Sequence, residues 1–338
     1  MTPPAYTLDR QVLIHDLDEA PDRYPQARRM DVKGKAFATT WSIALYADTV
    51  PEGLDVRCQA VLNRIDKEMS PYRIDSDLTR FNLAPAGGFV SLPDSLRTAV
   101  GHAVEIAALS AGAFDPALLS AVELWGFGAR VVAEGLPEAS DVSALRGQKH
   151  GWRDLVVQDG GMVKPAEVRL DLCAIAKGFA VDELMRLLQA EPGVRAALVE
   201  IGGELKGWGV QPDGLPWWVE IEAPDTAKEP RTVAALCGWA VATSGERVRS
   251  FMHEGQVHSH TIDSVTQSPT RSDIVSATVF DPQCWRADAL ATALMVMGEE
   301  RAIEFARQHE IPSLLWVRAE TLHNGLRAVR SPRLEGWL

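Results

Sequence analysis

Three stretches of the sequence bring together side chains that could do chemistry. In "RADALATALMVMG" (Arg286 to Gly298), Asp288 and Thr292 stand four residues apart, so a helix would present both on one side. The other residues there are mostly apolar or alanine, which suits a core helix. A buried carboxylate without a partner is costly, so Asp288 calls for a basic side chain or a cation. Two hard oxygens on one face suit Mg²⁺, which binds carboxylate and keeps several waters. The competing reading is a salt bridge from Asp288 to a distant arginine, with Thr292 bonding back to its own helix.

The second stretch is "DLCAIAKG" (Asp171 to Gly178), at an expected strand-to-helix junction. A helix N-terminus attracts anions, small residues let backbone approach a ligand, and Lys177 can reach a phosphate or carboxylate. Alternatively, Asp171 caps the helix and Lys177 lies on the surface. The third is "HSHTID" (His258 to Asp263). As a strand it would place His258, His260 and Ile262 on one face. A histidine there can be a general base or an ordinary exposed strand residue; for His258 the plain reading is preferred, and for His260 both stay open.

The elements that must position these groups follow from periodicity and punctuation. "AFATTWSIALYA" (Ala36 to Ala47) reads as a strand, and Gly53 to Met69 and Pro93 to Ser110 read as helices. "GAFDPALLSAVELWGFG" is a loop and a short helix bounded by glycines. A chain of short strands follows the Cys173 junction, from "AALVEIGG" to "IVSATVFD". For the key helix, Asp281 is the expected N-cap, Pro282 the first residue and Gly298 the stop. A further helix (Glu299 to His309) and a strand (Ser313 to Val317) close the series. Strands clustered in sequence point to an α+β fold with a largely antiparallel sheet.

The chain has 338 residues, 46% hydrophobic and 24% charged, with a net charge of −12. That composition is globular, and the acidic balance without a basic cluster argues against nucleic acid. Four scattered cysteines (Cys58, Cys173, Cys237, Cys284) show no C-x-x-C spacing, so zinc is not expected. No apolar run is long enough for a membrane span, and the opening residues lack the pattern of an export signal, so a cytoplasmic protein is expected. Walker A, H-E-x-x-H and G-x-S-x-G motifs do not occur. The ten tryptophans, several in "GWG" and "PWW", suit core packing better than a ligand pocket.

Taken in order, "ATTWSI", "MSPYRIDSDLTRFN", "GAFDP", "DLCAIAKGFAVDEL", "ALVEIGGELKGWG", "ATSGE…HSHTID" and "ADALATALMVMG" resemble the FAD:protein FMN transferases, the ApbE-like flavin transferases. The likeness runs from about Ala36 to Val317. It implies a T-fold-like α+β architecture, with a single unit over 36–338 preceded by an extension over 1–35. It also implies a Mg²⁺-dependent enzyme that takes FAD, joins its FMN half through phosphate to a Ser or Thr of an acceptor redox protein, and releases AMP. The resemblance places Mg²⁺ on the side chains of Asp288 and Thr292 and the backbone oxygen of Ala174. It places FAD against Phe37, Tyr72, Ala113, Phe114, Asp115, Asp171, Lys177 and Ile262. His260 matches a histidine that helps deprotonate the acceptor hydroxyl. The chain departs from the family pattern at Phe37–Ala38 (usually Met-Gly), at Cys173 (a second Gly) and at Glu246 (Asp or Asn). It departs again in "HTIDSVTQ", where Ser264 and Gln267 replace a Pro and a Gly. Two rival expectations remain: a FAD pyrophosphatase of the same fold, and a flavin-binding protein without catalysis.

Overall fold

The computed structural model describes residues 10–17, 19–129, 135–224, 231–246, 250–319 and 325–338. At its centre is an eight-stranded sheet, every neighbouring pair antiparallel. From one edge to the other the strands are Leu326–Arg330, Ser313–Arg318, Ile274–Asp281, Ala240–Gly245, Glu204–Trp208, Val194–Ile201, Thr39–Ala47 and Arg28–Ala36. Helices packed on one face complete an α+β protein, as the clustering of strands in the sequence predicts.

Alternation along the Thr39–Ala47 strand shows how the layers arise. Trp41, Ile43, Leu45 and Ala47 enter the main core with the helices, whereas Ala44 and Tyr46 face a second core behind the sheet. The helices Leu54–Met69, Asp94–Leu109, Ala176–Ala190 and Cys284–Met297 fill the main core. A small sheet backs the other face, with Arg10–Leu13 parallel to Arg231–Leu236, itself antiparallel to Trp217–Ile221. Residues 10–13 and 28–36 are therefore strands of these sheets.

Two local expectations change. The segment expected as one strand from Ala36 contains a turn: Ala36 pairs with Thr39, and Phe37 and Ala38 have φ of 52° and 58°. That is a two-residue hairpin loop of the kind the right-handed strand twist favours. The key helix starts at Cys284 behind Gln283, not at Pro282, because Asp281 still belongs to a strand. The Asp281 carboxylate accepts hydrogen bonds from the Gln283 amide (2.8 Å) and Arg286 Nε (3.0 Å). Gly298 ends that helix with φ 75°, as expected.

Candidate functional site

The site forms where the start of the Ala176–Ala190 helix meets the middle of the Cys284–Met297 helix. Gly178 lies so close to the Cys284 carbonyl that a Cβ would overlap it. The absence of a side chain there lets the two helices touch. Their contact turns the Gly178 amide onto Asp288, donating to Oδ2 at 3.0 Å. In a helix begun one turn earlier, that amide would bond to the Ala174 carbonyl. Instead the helix begins at Ala176, after a turn in which the Ile175 and Ala176 amides both bond to the Leu172 carbonyl. The Ala174 carbonyl thus does not receive the Gly178 amide, which goes to Asp288 instead.

Asp288 is 4% exposed, and burial pushes its carboxyl above the usual range against the pull of Lys177 and the Gly178 amide. Lys177 is half-buried and paired, not simply spread on the surface: its Nζ lies 2.5 Å from Oε1 of Glu204, which is 2% exposed. Burial first, and then Asp288, push Glu204 up to about 8, with Lys177 opposing. Burial works against the Lys177 charge, but Glu204 and Asp288 outweigh it and its pKa is raised. A lysine cation is thus set between two buried carboxyls. Thr292 Oγ1 lies 3.0 Å from Ser244 Oγ on the Ala240–Gly245 strand, not against its own helix. Asp288's charged neighbour is a lysine from the adjacent helix, where the competing reading required an arginine.

A second group surrounds Asp115. The Asp171 amide donates to the Pro116 carbonyl at 2.8 Å, and the Asp171 carboxylate accepts from the Cys173 amide at 2.8 Å. Asp171 therefore shapes the turn before the helix and does not cap the helix itself. Asp115 Oδ1 accepts from the Ala117 amide at 2.7 Å, and burial pushes its carboxyl up to about 6. Ala113 and Phe114 bury their side chains in the main core, so only their backbone can serve a ligand. Ser264 Oγ donates to the Gly112 carbonyl at 2.6 Å, which joins the segment after His260 to the same loop.

The third group is aromatic. Tyr72 donates its hydroxyl to the Phe127 carbonyl at 3.3 Å, and the Phe127 ring meets His260 edge-on and Phe251 at a tilt. Ile262 is buried with Phe127 in the same small cluster. The strand expected over His258 to Asp263 is broken: Gln256–Ser259 and Ile262–Asp263 are separate strands, with His260 and Thr261 between them. His258, His260 and Ile262 nevertheless all meet one aromatic cluster, formed by Trp125, Phe127 and Phe251. His258 stacks on Trp125 and Phe251, a packing role. Phe37 packs on the main core from its hairpin turn, which the Gly202 amide grips through the Thr40 carbonyl (3.2 Å). Glu204 and Ser244 had no place in the sequence reading. Glu204's signal was a charged residue directly after a Gly-Gly turn, on a strand that had to be buried; Ser244 carried none.

A buried carboxylate, a hydroxyl one helical turn away and a carbonyl without the Gly178 amide are the oxygen types that a hard divalent cation takes. Beside them the raised lysine suits an anion. By its fold this is an antiparallel α+β protein with a polar cradle between two of its helices. The chain belongs to the ApbE family, whose profile matches residues 37–315. It is 34% identical over 303 residues to the FAD:protein FMN transferase of Vibrio cholerae, covering 87% of this chain and 89% of that protein. The Escherichia coli FAD:protein FMN transferase is 30% identical over 82% of this chain and 81% of its own length. Among solved structures, the apo flavinyl transferase ApbE of Pseudomonas stutzeri superposes with a TM-score of 0.85 at 35% identity, over 92% of this chain and 97% of that one. The Vibrio cholerae flavin transferase ApbE gives 0.81 at 31% identity, over 92% and 100%.

Proposed function

We propose that this chain is an FAD:protein FMN transferase that uses Mg²⁺, passes FMN from FAD to a Ser or Thr hydroxyl of an acceptor redox protein, and releases AMP. The observation that carries this reading is the diversion of the Gly178 amide onto the buried Asp288 carboxylate beside Lys177, in a chain whose relatives are named for that transfer. Asp288, Thr292 and the Ala174 carbonyl would hold the cation. When bound, the cation would offset the Asp288 charge and draw negative charge from the pyrophosphate. Lys177 supplies a second positive charge to that anion, and such transfers depend mainly on positioning and charge stabilisation. Phe37, Tyr72, Ile262, Asp171 and the 113–115 loop would line the FAD site, Ala113 and Phe114 through their backbone. His260, beside the Tyr72–Phe127 pair, would take the proton of the acceptor hydroxyl.

The altered loop after His260 keeps a defined shape, which favours transfer over simple binding. Gln267, in the family's glycine place, has a φ of 52° and donates from Nε2 to the Ser264 carbonyl at 2.7 Å. Trp125 Nε1 donates to the Gln267 carbonyl at 2.9 Å. The same reading places the enzyme in the cytoplasm with a soluble or cytoplasm-facing acceptor; among the described residues no helix is long and apolar enough to cross a membrane. Incubating the protein with FAD, Mg²⁺ and Ser- or Thr-containing acceptor peptides tests the reaction. AMP and covalently bound flavin should appear together and vanish with EDTA. AMP without covalent flavin would mean hydrolysis, and neither product would mean a binder. Fractionation of cells tests the location.

A further inference from the structure

Two ion pairs with buried carboxylates join the Glu204–Trp208 strand to the Ala176–Ala190 helix, and they differ in one respect. Glu204 and Lys206 are two residues apart, on one face of the strand. Lys206 Nζ lies 2.6 Å from Oδ1 of Asp182, and Asp182 Oδ2 accepts the Trp285 amide at 3.0 Å. Both oxygens of Asp182 are satisfied, and this set of contacts links strand to helix and helix to helix. Glu204 has the opposite polarity: Oε1 takes Lys177 at 2.5 Å, but Oε2 is buried with no hydrogen-bond partner among the described residues. A buried carboxylate oxygen left unmatched costs stability that the neighbouring complete pair shows is not needed for fastening.

Building on the transfer reading above, we propose that Glu204 is a positioning residue that holds the Lys177 ammonium in its place beside Asp288. Lys177 rises from a flexible four-carbon stem. Without a fixed partner it would sample several rotamers; against Glu204 it points one way. The residue acts on the reaction through Lys177 and need not touch substrate.

Three variants test this. Glu204→Gln keeps the shape and replaces the carboxyl group that Lys177 Nζ contacts with a neutral amide. Its kcat should fall by about 10²-fold, the scale of an ångström-sized misplacement. The KM for FAD should stay near the parental value, since Glu204 need not touch substrate. Glu204→Asp should recover part of kcat. Lys206→Met, which breaks the other pair, should lower the Tm without dividing kcat from KM. Mass-spectrometric acylation of Lys177, which needs no turnover, should run severalfold faster in Glu204→Gln than in the parent chain. If the parent chain turns over no FAD, the transfer reading fails while the acylation rate still judges the positioning. Unchanged acylation overturns the proposal. So does a Glu204→Gln variant with parental kcat, or one whose losses match those of Lys206→Met.

Discussion

Asp288 shows how one residue can be costly to the fold and valuable to the site. Its carboxyl is buried, raised by that burial, and shares Lys177 with Glu204. Replacing Asp288 with Asn keeps an oxygen for the Gly178 amide and removes one of two competing negative charges. We therefore expect the Tm to hold or rise, while Mg²⁺-dependent turnover falls at least about 10²-fold, since cation-assisted charge stabilisation supplies several kcal/mol. Thermal melts with a Mg²⁺ titration of activity check both halves; full activity at low Mg²⁺ would remove Asp288 from the metal. His260 belongs to the other side of the reaction. His260→Ala should lose about 10²–10⁴-fold in rate with little change in FAD binding. An equal loss of FAD affinity would make it a binding contact.

At the scale of elements, the turns keep their backbone even where the residue type has changed. Ala38 and Gln267 occupy places where the family pattern has glycine, and both keep left-handed φ angles, 58° and 52°. Such angles cost a residue with a Cβ about 1–2 kcal/mol relative to glycine, though glycine also loosens the unfolded chain. Ala38→Gly should therefore raise stability by up to about 1 kcal/mol in urea melts and leave turnover intact; a destabilised variant would show that the turn is not strained. Helix contact behaves in the opposite way. Gly178→Ala should push the Cys284 carbonyl away, destabilise the protein by about 1–3 kcal/mol and weaken Mg²⁺ binding without removing any ligand. A variant with parental melting and metal affinity would contradict the contact.

Across the whole molecule, the second core ties the segments around Leu13 and Trp337 to the back of the sheet. The Ile14 amide donates to the Trp337 carbonyl at 2.9 Å, and His15 packs against the rings of Trp239 and Trp337. Burial lowers the His15 pKa below 6.5, outweighing the Asp16 carbonyl. The folded state therefore binds the proton less readily than the unfolded chain. Its contribution to stability is complete above pH 6.5 and is lost as the pH falls from there toward the lowered folded value. We expect the Tm to drop between pH 7.5 and 5.5, and the drop to shrink in His15→Gln. Identical pH dependence in the two proteins would show that His15 does not couple this core to pH.

Much of the architecture was legible in the residues themselves. Clustered short strands implied an antiparallel α+β fold, and the four-residue spacing of Asp288 and Thr292 implied a shared helix face. Both are local periodicities, 2 for strands and 3.6 for helices, and a short window of sequence displays them. The order of the motifs placed the chain in its family. Tertiary structure decided which groups meet. The Gly178 amide and Asp288 are 110 residues apart in the chain, and Lys177 and Glu204 are 27 apart; no window contains such a pair. The break at His260 and the turn at Phe37–Ala38 were likewise hidden, because strand-forming residues surround both and only the pairing partners set where each strand stops. The partner of a buried charge is chosen by packing, since helices and sheet must first close before the low-dielectric space between them exists.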